Sequence, residues 1–175
     1  MTIGQTVLDA IKQSFQYDKN LAERAIAQVP DSALHQSLDP ETNSIVILMK
    51  HISGNLRSRW TDFLTTDGEK DWRNRDREFI DDFESRDQLM EYWEQGWQVL
   101  FDTLDSLSES DLASTVQIRG VDHSVPMALY RSNAHIAYHI GQIVMIARIH
   151  CGEDWETLTI QRGKSQEYNE QNWGK

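Results

Sequence analysis

The sequence predicts an all-α protein built as a four-helix bundle. Only three prolines interrupt its 175 residues, and the apolar residues between them recur at three- and four-residue steps instead of alternating. No internal repeat is visible, and the connections between the helical segments vary in length, which favours a bundle over a solenoid. A chain of this length has room for one hydrophobic core, so a single domain spanning residues 1–175 is expected.

Two helices are predicted in the first third of the chain. The first runs from Ile3 to Ala27, where apolar residues return every three or four positions until Pro30 ends the pattern. After a turn-rich connection, Asn43 or Ser44 can act as the N-cap of a second helix, which carries an apolar stripe as far as Phe63.

Two further helices are predicted in the second half. One covers Ser85–Leu104, with its first residue as the N-cap. The other covers Pro126–Ile149, because proline is tolerated in a first helical turn and Gly152 can end the helix. Between them, residues 112–124 alternate in polarity around Gly120, which indicates a short hairpin or an irregular loop.

Two other segments are predicted from their polarity. Residues 65–82 are dense in charge and are expected to form a long, solvated surface loop. Aromatic and basic residues interleave within it from Trp72 to Arg77, but the acidic neighbours Asp76 and Glu78 argue against an anion site there. The polar tail, residues 154–175, is expected either to wrap the bundle or to be partly disordered.

Charge and composition exclude several classes of partner. The formal charge of −11 repels phosphate backbones, so nucleic acid is not expected as a partner. The longest apolar stretch, Ser44–Met49, is far short of the roughly 20 residues of a membrane span, and no basic segment followed by an apolar one marks a signal peptide. The single cysteine, Cys151, cannot form an internal disulfide. We therefore expect a soluble, cytoplasmic protein that does not bind membranes.

The histidines carry the strongest chemical signal. His135 and His139 stand four residues apart in a predicted helix, so their imidazoles point the same way and can chelate one ion. His51 lies beside the apolar stripe of the second helix, where it can supply a third ligand. Three imidazoles suit zinc, nickel, copper or iron(II) and leave positions open for water or substrate, as in catalytic sites. The other histidines lie near predicted connections or helix ends and are expected to be solvated or capping residues: His35, His123 and His150.

Two familiar kinds of hydrolase site are not supported by the sequence. The helical zinc protease signature has Glu directly after its first His, and here that position is Ile136. No Gly-x-Ser-x-Gly elbow surrounds any serine. No carboxylate occurs within one turn of His135 or His139, which disfavours a hydrolase that needs a carboxylate base.

Several segments resemble the DinB-like (DinB/YfiT) superfamily. They are Met49–Asn55, which contains His51, and Ala134–Ile143, in which two histidines four residues apart are followed by Ile-Gly-Gln-Ile. Asn55–Leu64 and Gln161–Ser165 resemble one subfamily of it whose members have no assigned reaction. The resemblance covers essentially the whole chain. It implies a four-helix bundle, often a homodimer, in which the same three histidines hold nickel or zinc. The imidazole donors themselves also admit iron.

The resemblance also implies a choice among functions. Relatives include S-transferases that use bacillithiol or mycothiol, a mycothiol-dependent maleylpyruvate isomerase and metal-dependent hydrolase-like proteins. We expect a metal-dependent S-transferase in which the metal activates a low-molecular-weight thiol such as bacillithiol for attack on a small-molecule electrophile. The alternatives are a metal-dependent hydrolase that uses a metal-bound water and a non-catalytic, stress-associated metal-binding protein.

Several residues near the histidines are candidates for handling substrate. Tyr138 and Gln142 lie near the histidine face of the fourth predicted helix, and Asn55 lies one turn after the first histidine of the triad. Three arginines could pair with a substrate carboxylate, because arginine presents a bidentate fork to such groups: Arg57, Arg59 and Arg131.

Overall fold

Four long helices form the bundle in the computed structural model, which describes residues 2–174. They lie within three residues of the predicted helices at each end: α1 (Ile3–Ile26), α3 (Ile45–Trp60), α4 (Arg86–Ser106) and α5 (Val125–Cys151). Two shorter helices are additional to the prediction: α2 (Asp31–Leu34) and α6 (Ser165–Trp173). The all-α bundle predicted from the sequence is confirmed. None of the described helices is long and apolar enough to cross a membrane.

Local sequence signals set the ends of the long helices. Each begins after a Ser or Thr whose side-chain oxygen accepts a hydrogen bond from the backbone N–H three residues later: Thr2, Ser44, Ser85 and Ser124. Helix α5 carries Pro126 in its first turn and ends at Gly152, whose φ of 57° is easily adopted by glycine. These signals are local, which is why the sequence predicts them well.

The hydrophobic core lies between two pairs of helices. Helix α3 packs along α4 and α1 packs along α5, while α3 also contacts α5. Gly96 lets α3 and α4 approach closely, because a Cβ at this position would lie 2.8 Å from the Cα of Ser53. Half of the tryptophans fill the core with buried rings: Trp60, Trp93 and Trp97. The α3–α5 contact brings together the two helices that carry the predicted metal ligands.

A β-hairpin precedes α5 and confirms the first of the two alternatives for residues 112–124. Strands β1 (Thr115–Ile118) and β2 (Val121–Ser124) pair antiparallel. Arg119 and Gly120 form the turn with φ angles of 55° and 71°, as a two-residue turn of type I′ requires. Both backbone N–H groups donate to the carboxylate of Asp67, at 2.8 and 2.6 Å. The hairpin is therefore tied to the segment between α3 and α4.

Most residues of that segment, 65–82, are exposed, as its charge predicts, but a part of it is buried. Its 3₁₀ turn Asp76–Phe79 packs against α3, and the side chains of Arg73 and Glu78 are 2% and 6% exposed. The charge pattern did not predict this buried part, because the number of charges does not reveal whether they pair. Here Arg73 and Glu78 neutralise each other, and paired charges can be buried.

The tail contacts the bundle over its first residues. Trp155 and Leu158 pack against the edge of the core. Gln28, two residues after the end of α1, exchanges two hydrogen bonds with the backbone of Glu156, at 3.1 and 2.8 Å. Helix α6 has no buried residue. The first part of the tail therefore follows the wrapping alternative.

Candidate metal centre

Three histidine side chains meet where α3 faces α5. The Nε2 atom of His135 lies 3.3 Å from Nε2 of His51 and 3.2 Å from Nε2 of His139. One nitrogen from each of the three lies within 4.8 Å of the others. Two ligands at about 2.0–2.1 Å from a tetrahedral ion stand roughly 3.3 Å apart, so the cluster has a spacing that one ion can bridge. The three histidines singled out by the sequence thus form a group that could hold a metal ion.

His51 is held by a buried carboxylate that the sequence analysis missed. Its Nδ1 lies 2.8 Å from Oε2 of Glu78, and its ring stacks on Phe79 with centroids 5.1 Å apart. An ionised carboxylate only accepts hydrogen bonds, so this contact assigns the imidazole proton to Nδ1. The Nε2 lone pair of His51 is then directed to the cluster, as in metal-ligating histidines with a carboxylate partner.

Glu78 is fixed in turn by Arg73. The guanidinium donates from Nε to Oε1 at 2.7 Å and from Nη2 to Oε2 at 2.9 Å, a bidentate pair. Burial raises the pKa of Glu78, but the hydrogen bonds from His51 and Arg73 outweigh it and hold the pKa below its ordinary value. Glu78 is therefore an ionised acceptor whose two oxygens are both occupied.

Gly54 makes room for this carboxylate. A Cβ at this position would lie 2.5 Å from Oε1 and 2.8 Å from Cδ of Glu78. Glycine in a helix interior costs about 1 kcal/mol relative to alanine, so a glycine in the buried middle of α3 needs a packing reason. That glycine, three residues after His51, is the sequence signal that could have indicated the close approach of another side chain.

His139 is oriented by two of the predicted candidates. Its Nδ1 lies 2.7 Å from Oε1 of Gln142, whose Nε2 donates to the hydroxyl of Tyr138 at 3.3 Å. The amide oxygen of Gln142 can only accept, so the Nε2 atom of His139 also keeps its lone pair for the cluster. Tyr138 is 64% exposed. The two candidates therefore form a hydrogen-bonded chain behind His139.

Burial keeps two of the imidazoles neutral. Burial, together with the neighbouring His139 and His51, lowers the pKa of His135 to about 4. Burial also lowers the pKa of His139, although its hydrogen bond to Gln142 acts in the opposite direction. Both rings are therefore neutral nitrogen donors near pH 7, which is the form that binds metal ions.

A cavity of about 180 Å³ opens beside the cluster. His51 and His135 lie on its wall, together with residues from α3, α5, the hairpin and the 65–82 segment. No acidic residue of the described chain lines it. A small molecule in this cavity would lie against two of the three histidines.

The structure separates the remaining candidates. Asn55, Arg59 and Arg131 line the cavity, whereas Arg57 lies outside it, with its guanidinium 5.5 Å from the centre of the Tyr92 ring. The other histidines lie away from the cluster, in hydrogen bonds to other parts of the chain: His35, His123 and His150.

Comparisons with known proteins bear on the fold and the family. A conserved protein from Enterococcus faecalis has a similar solved structure, with a TM-score of 0.62 and 17% sequence identity over 87% of this chain and 99% of that one. At this identity the likeness shows a shared fold only. A comparison with curated proteins gave no match. The family model described as "Protein of unknown function (DUF1572)" matches residues 2–164, and the chain therefore belongs to the DUF1572 family.

Proposed function

We propose that this chain is a metal-dependent S-transferase that uses a low-molecular-weight thiol. The observation that carries the proposal is the convergence of three imidazoles beside a cavity without an acidic wall. A divalent ion held by His51, His135 and His139 would act as a Lewis acid that lowers the pKa of a bound thiol toward neutrality. Nickel or zinc suits three neutral nitrogen donors, with iron(II) as a further candidate.

The donor set fits such an ion on two counts. His51 and His139 each direct Nδ1 at an acceptor, Glu78 and Gln142, which is the usual support of metal-ligating histidines. The cluster within residues 2–174 supplies three protein ligands, whereas structural zinc sites usually have four. Three ligands suit a centre at which a small molecule completes the coordination.

Thiol transfer fits the surroundings better than hydrolysis. A hydrolase needs a base that takes a proton from water, but both oxygens of Glu78 are engaged by His51 and Arg73. A thiol, with an ordinary pKa of about 8.5, ionises near neutral pH with much less help. The resemblance of Met49–Asn55 and Ala134–Ile143 to the DinB-like superfamily, which includes bacillithiol- and mycothiol-dependent transferases, supports the same choice.

The test is conjugate formation by metal-loaded protein. The chain is loaded with nickel or zinc and supplied with bacillithiol and a panel of electrophiles, and S-conjugates are measured by mass spectrometry. We expect conjugates with the native chain and with His150→Ala, which lies outside the cluster, but not with His135→Ala. Turnover of ester or amide substrates without consumption of thiol would assign a hydrolase instead. Stoichiometric metal without either activity would indicate a non-catalytic metal-binding protein.

We also propose that the chain forms a homodimer through α5. One 100°-wide arc of this helix carries exposed large apolar side chains along most of its length: Met127, Tyr130, Tyr138, Met145 and Ile149. An exposed apolar stripe along a helix is typical of a protein–protein contact. Light scattering after size-exclusion chromatography should give the mass of a dimer for the native chain and of a monomer for the Tyr130→Glu, Met145→Glu variant. A native monomer would contradict this proposal.

A further inference from the structure

The cavity beside the three histidines has a strongly basic wall, although the chain as a whole carries a formal charge of −11. Five arginines line it: Arg59, Arg73, Arg75, Arg119 and Arg131. Arg73 pairs with Glu78 and Glu69, and Arg119 pairs with Glu69. Within the part of the chain that the structure describes, the other three arginines form no ion pair with a carboxylate. The cavity therefore holds an excess of positive charge.

Arg59 is the most informative of these arginines. It lies on α3 about two turns after His51 and is 8% exposed, yet its Nη1 atom is buried without any hydrogen-bond partner. Burial, with Arg131 nearby, lowers the pKa of Arg59 to about 10, so the guanidinium is still charged at neutral pH. A buried, unpaired cation is costly to a fold. A buried charged group with a perturbed pKa in a cavity is a candidate for a ligand-binding residue, here for a ligand that supplies negative charge.

A second buried donor of the cavity lies on α5. The Oγ atom of Ser132, on α5 about one turn before His135, is buried and has no hydrogen-bond partner in the described chain. A guanidinium only donates hydrogen bonds, and a hydroxyl can donate one. The unsatisfied groups of this cavity therefore match a ligand that accepts hydrogen bonds and carries negative charge.

We infer that the cavity binds an oxyanion, a carboxylate or phosphate group of the small molecule that reacts at the histidine centre, through Arg59, Arg131 and Ser132. The inference rests on the proposed function, because His135 lines the same cavity, so that an ion held by the three histidines would lie beside these anchoring residues. A cavity of about 180 Å³ accommodates a charged group with a few further atoms. The substrates or thiols of this centre are therefore expected to be small acids.

The test is calorimetric titration of metal-free protein with inorganic phosphate and with malate. Removing the metal separates anion binding in the cavity from anion coordination to an ion. We compare the native chain with Arg59→Met and with the matched control Arg57→Met, which alters the same helix two residues away and outside the cavity. Binding should be saturable in the native chain and the control and weakened about 10- to 100-fold in Arg59→Met, the loss expected for a charge-assisted hydrogen bond.

Stability distinguishes a binding role from a structural one. Removal of an unpaired buried cation should leave the Tm of metal-free Arg59→Met equal to or above that of the native chain. If this variant does not fold, Arg131→Gln at an exposed position is expected to show the same loss of anion affinity. Binding of phosphate alone assigns phosphorylated ligands, and binding of malate alone assigns carboxylates.

Two results would overturn the inference. One is the absence of saturable binding of both anions to the native chain, and the other is an equal loss of affinity in Arg57→Met and Arg59→Met. The titration does not depend on the metal, so failure of the proposed function leaves its result intact. Conversely, His135→Ala should no longer bind a metal ion, but the metal-free variant should still bind the anions in the same titration.

Discussion

Replacing Glu78 by glutamine should weaken metal binding while the chain still folds. In the native chain, Oε2 of Glu78 accepts from Nδ1 of His51, and both its oxygens accept from Arg73. Glutamine keeps the volume and one oxygen, but its amide nitrogen cannot accept a hydrogen bond. Either His51 or Arg73 therefore loses its partner, and the His51 ring is no longer fixed with Nε2 toward His135.

Glu78→Gln should change both the metal affinity and the free energy of unfolding. Loss of a carboxylate that orients a metal-ligating histidine typically costs about 10- to 100-fold in metal affinity. Breaking a buried ion pair costs about 3–5 kcal/mol of unfolding free energy, and the lower end applies because Glu69 still lies 3.2 Å from Arg73. At roughly 2–4 °C per kcal/mol for a chain of this size, the Tm should fall by about 6–12 °C.

The assay is competition for zinc against a chromophoric chelator, at a temperature where each variant is folded. Glu69→Gln is the matched control, because Glu69 also pairs with Arg73 but makes no hydrogen bond to a histidine. The zinc affinity of the control should stay close to that of the native chain. An unchanged affinity in Glu78→Gln, or an equal loss in both variants, would refute the role of Glu78 in orienting His51.

Two further substitutions test the packing around the site and the bundle. Gly54→Ala should displace the Glu78 carboxylate, since the new Cβ would lie 2.5 Å from Oε1, and should lower zinc affinity about as much as Glu78→Gln in the same competition assay. Asp18→Asn should raise the Tm at pH 7. Burial raises the pKa of Asp18 in the folded chain above its ordinary value of 3.8. Ionisation of Asp18 therefore destabilises the folded chain as the pH rises from the ordinary pKa through the raised one. The difference in Tm between Asp18→Asn and the native chain should vanish near pH 3, where Asp18 is protonated in both the folded and the unfolded chain. An equal difference in Tm at pH 3 and pH 7 would contradict this reasoning.

The features that the sequence predicts well are local. Helix ends depend on residues such as Ser44, Ser85 and Gly152, whose effects reach only a few positions along the chain. The pairing of His135 with His139 follows from helical spacing alone. For these features, the prediction from the residue pattern agrees with the folded structure.

The features that the sequence does not predict depend on contacts between distant segments. No carboxylate lies within one helical turn of His135 or His139 in the sequence, but Glu78 reaches the centre from the 65–82 segment through His51. Charge density predicted exposure for that segment, and most of it is exposed, but the pairing of Arg73 with Glu78 permits the burial of these two side chains. The basic cavity likewise forms only when α3, α5, the hairpin and this segment meet.

Elemental analysis tests the central claim most directly. Protein purified without a histidine tag is exposed to zinc and nickel, dialysed and analysed, alongside His51→Ala, His135→Ala and the control His150→Ala. The three-histidine centre predicts about one ion per chain in the native protein and in the control, and almost none in the other two variants. A native chain that stays metal-free, or His51→Ala and His135→Ala variants that keep their full complement, would contradict it.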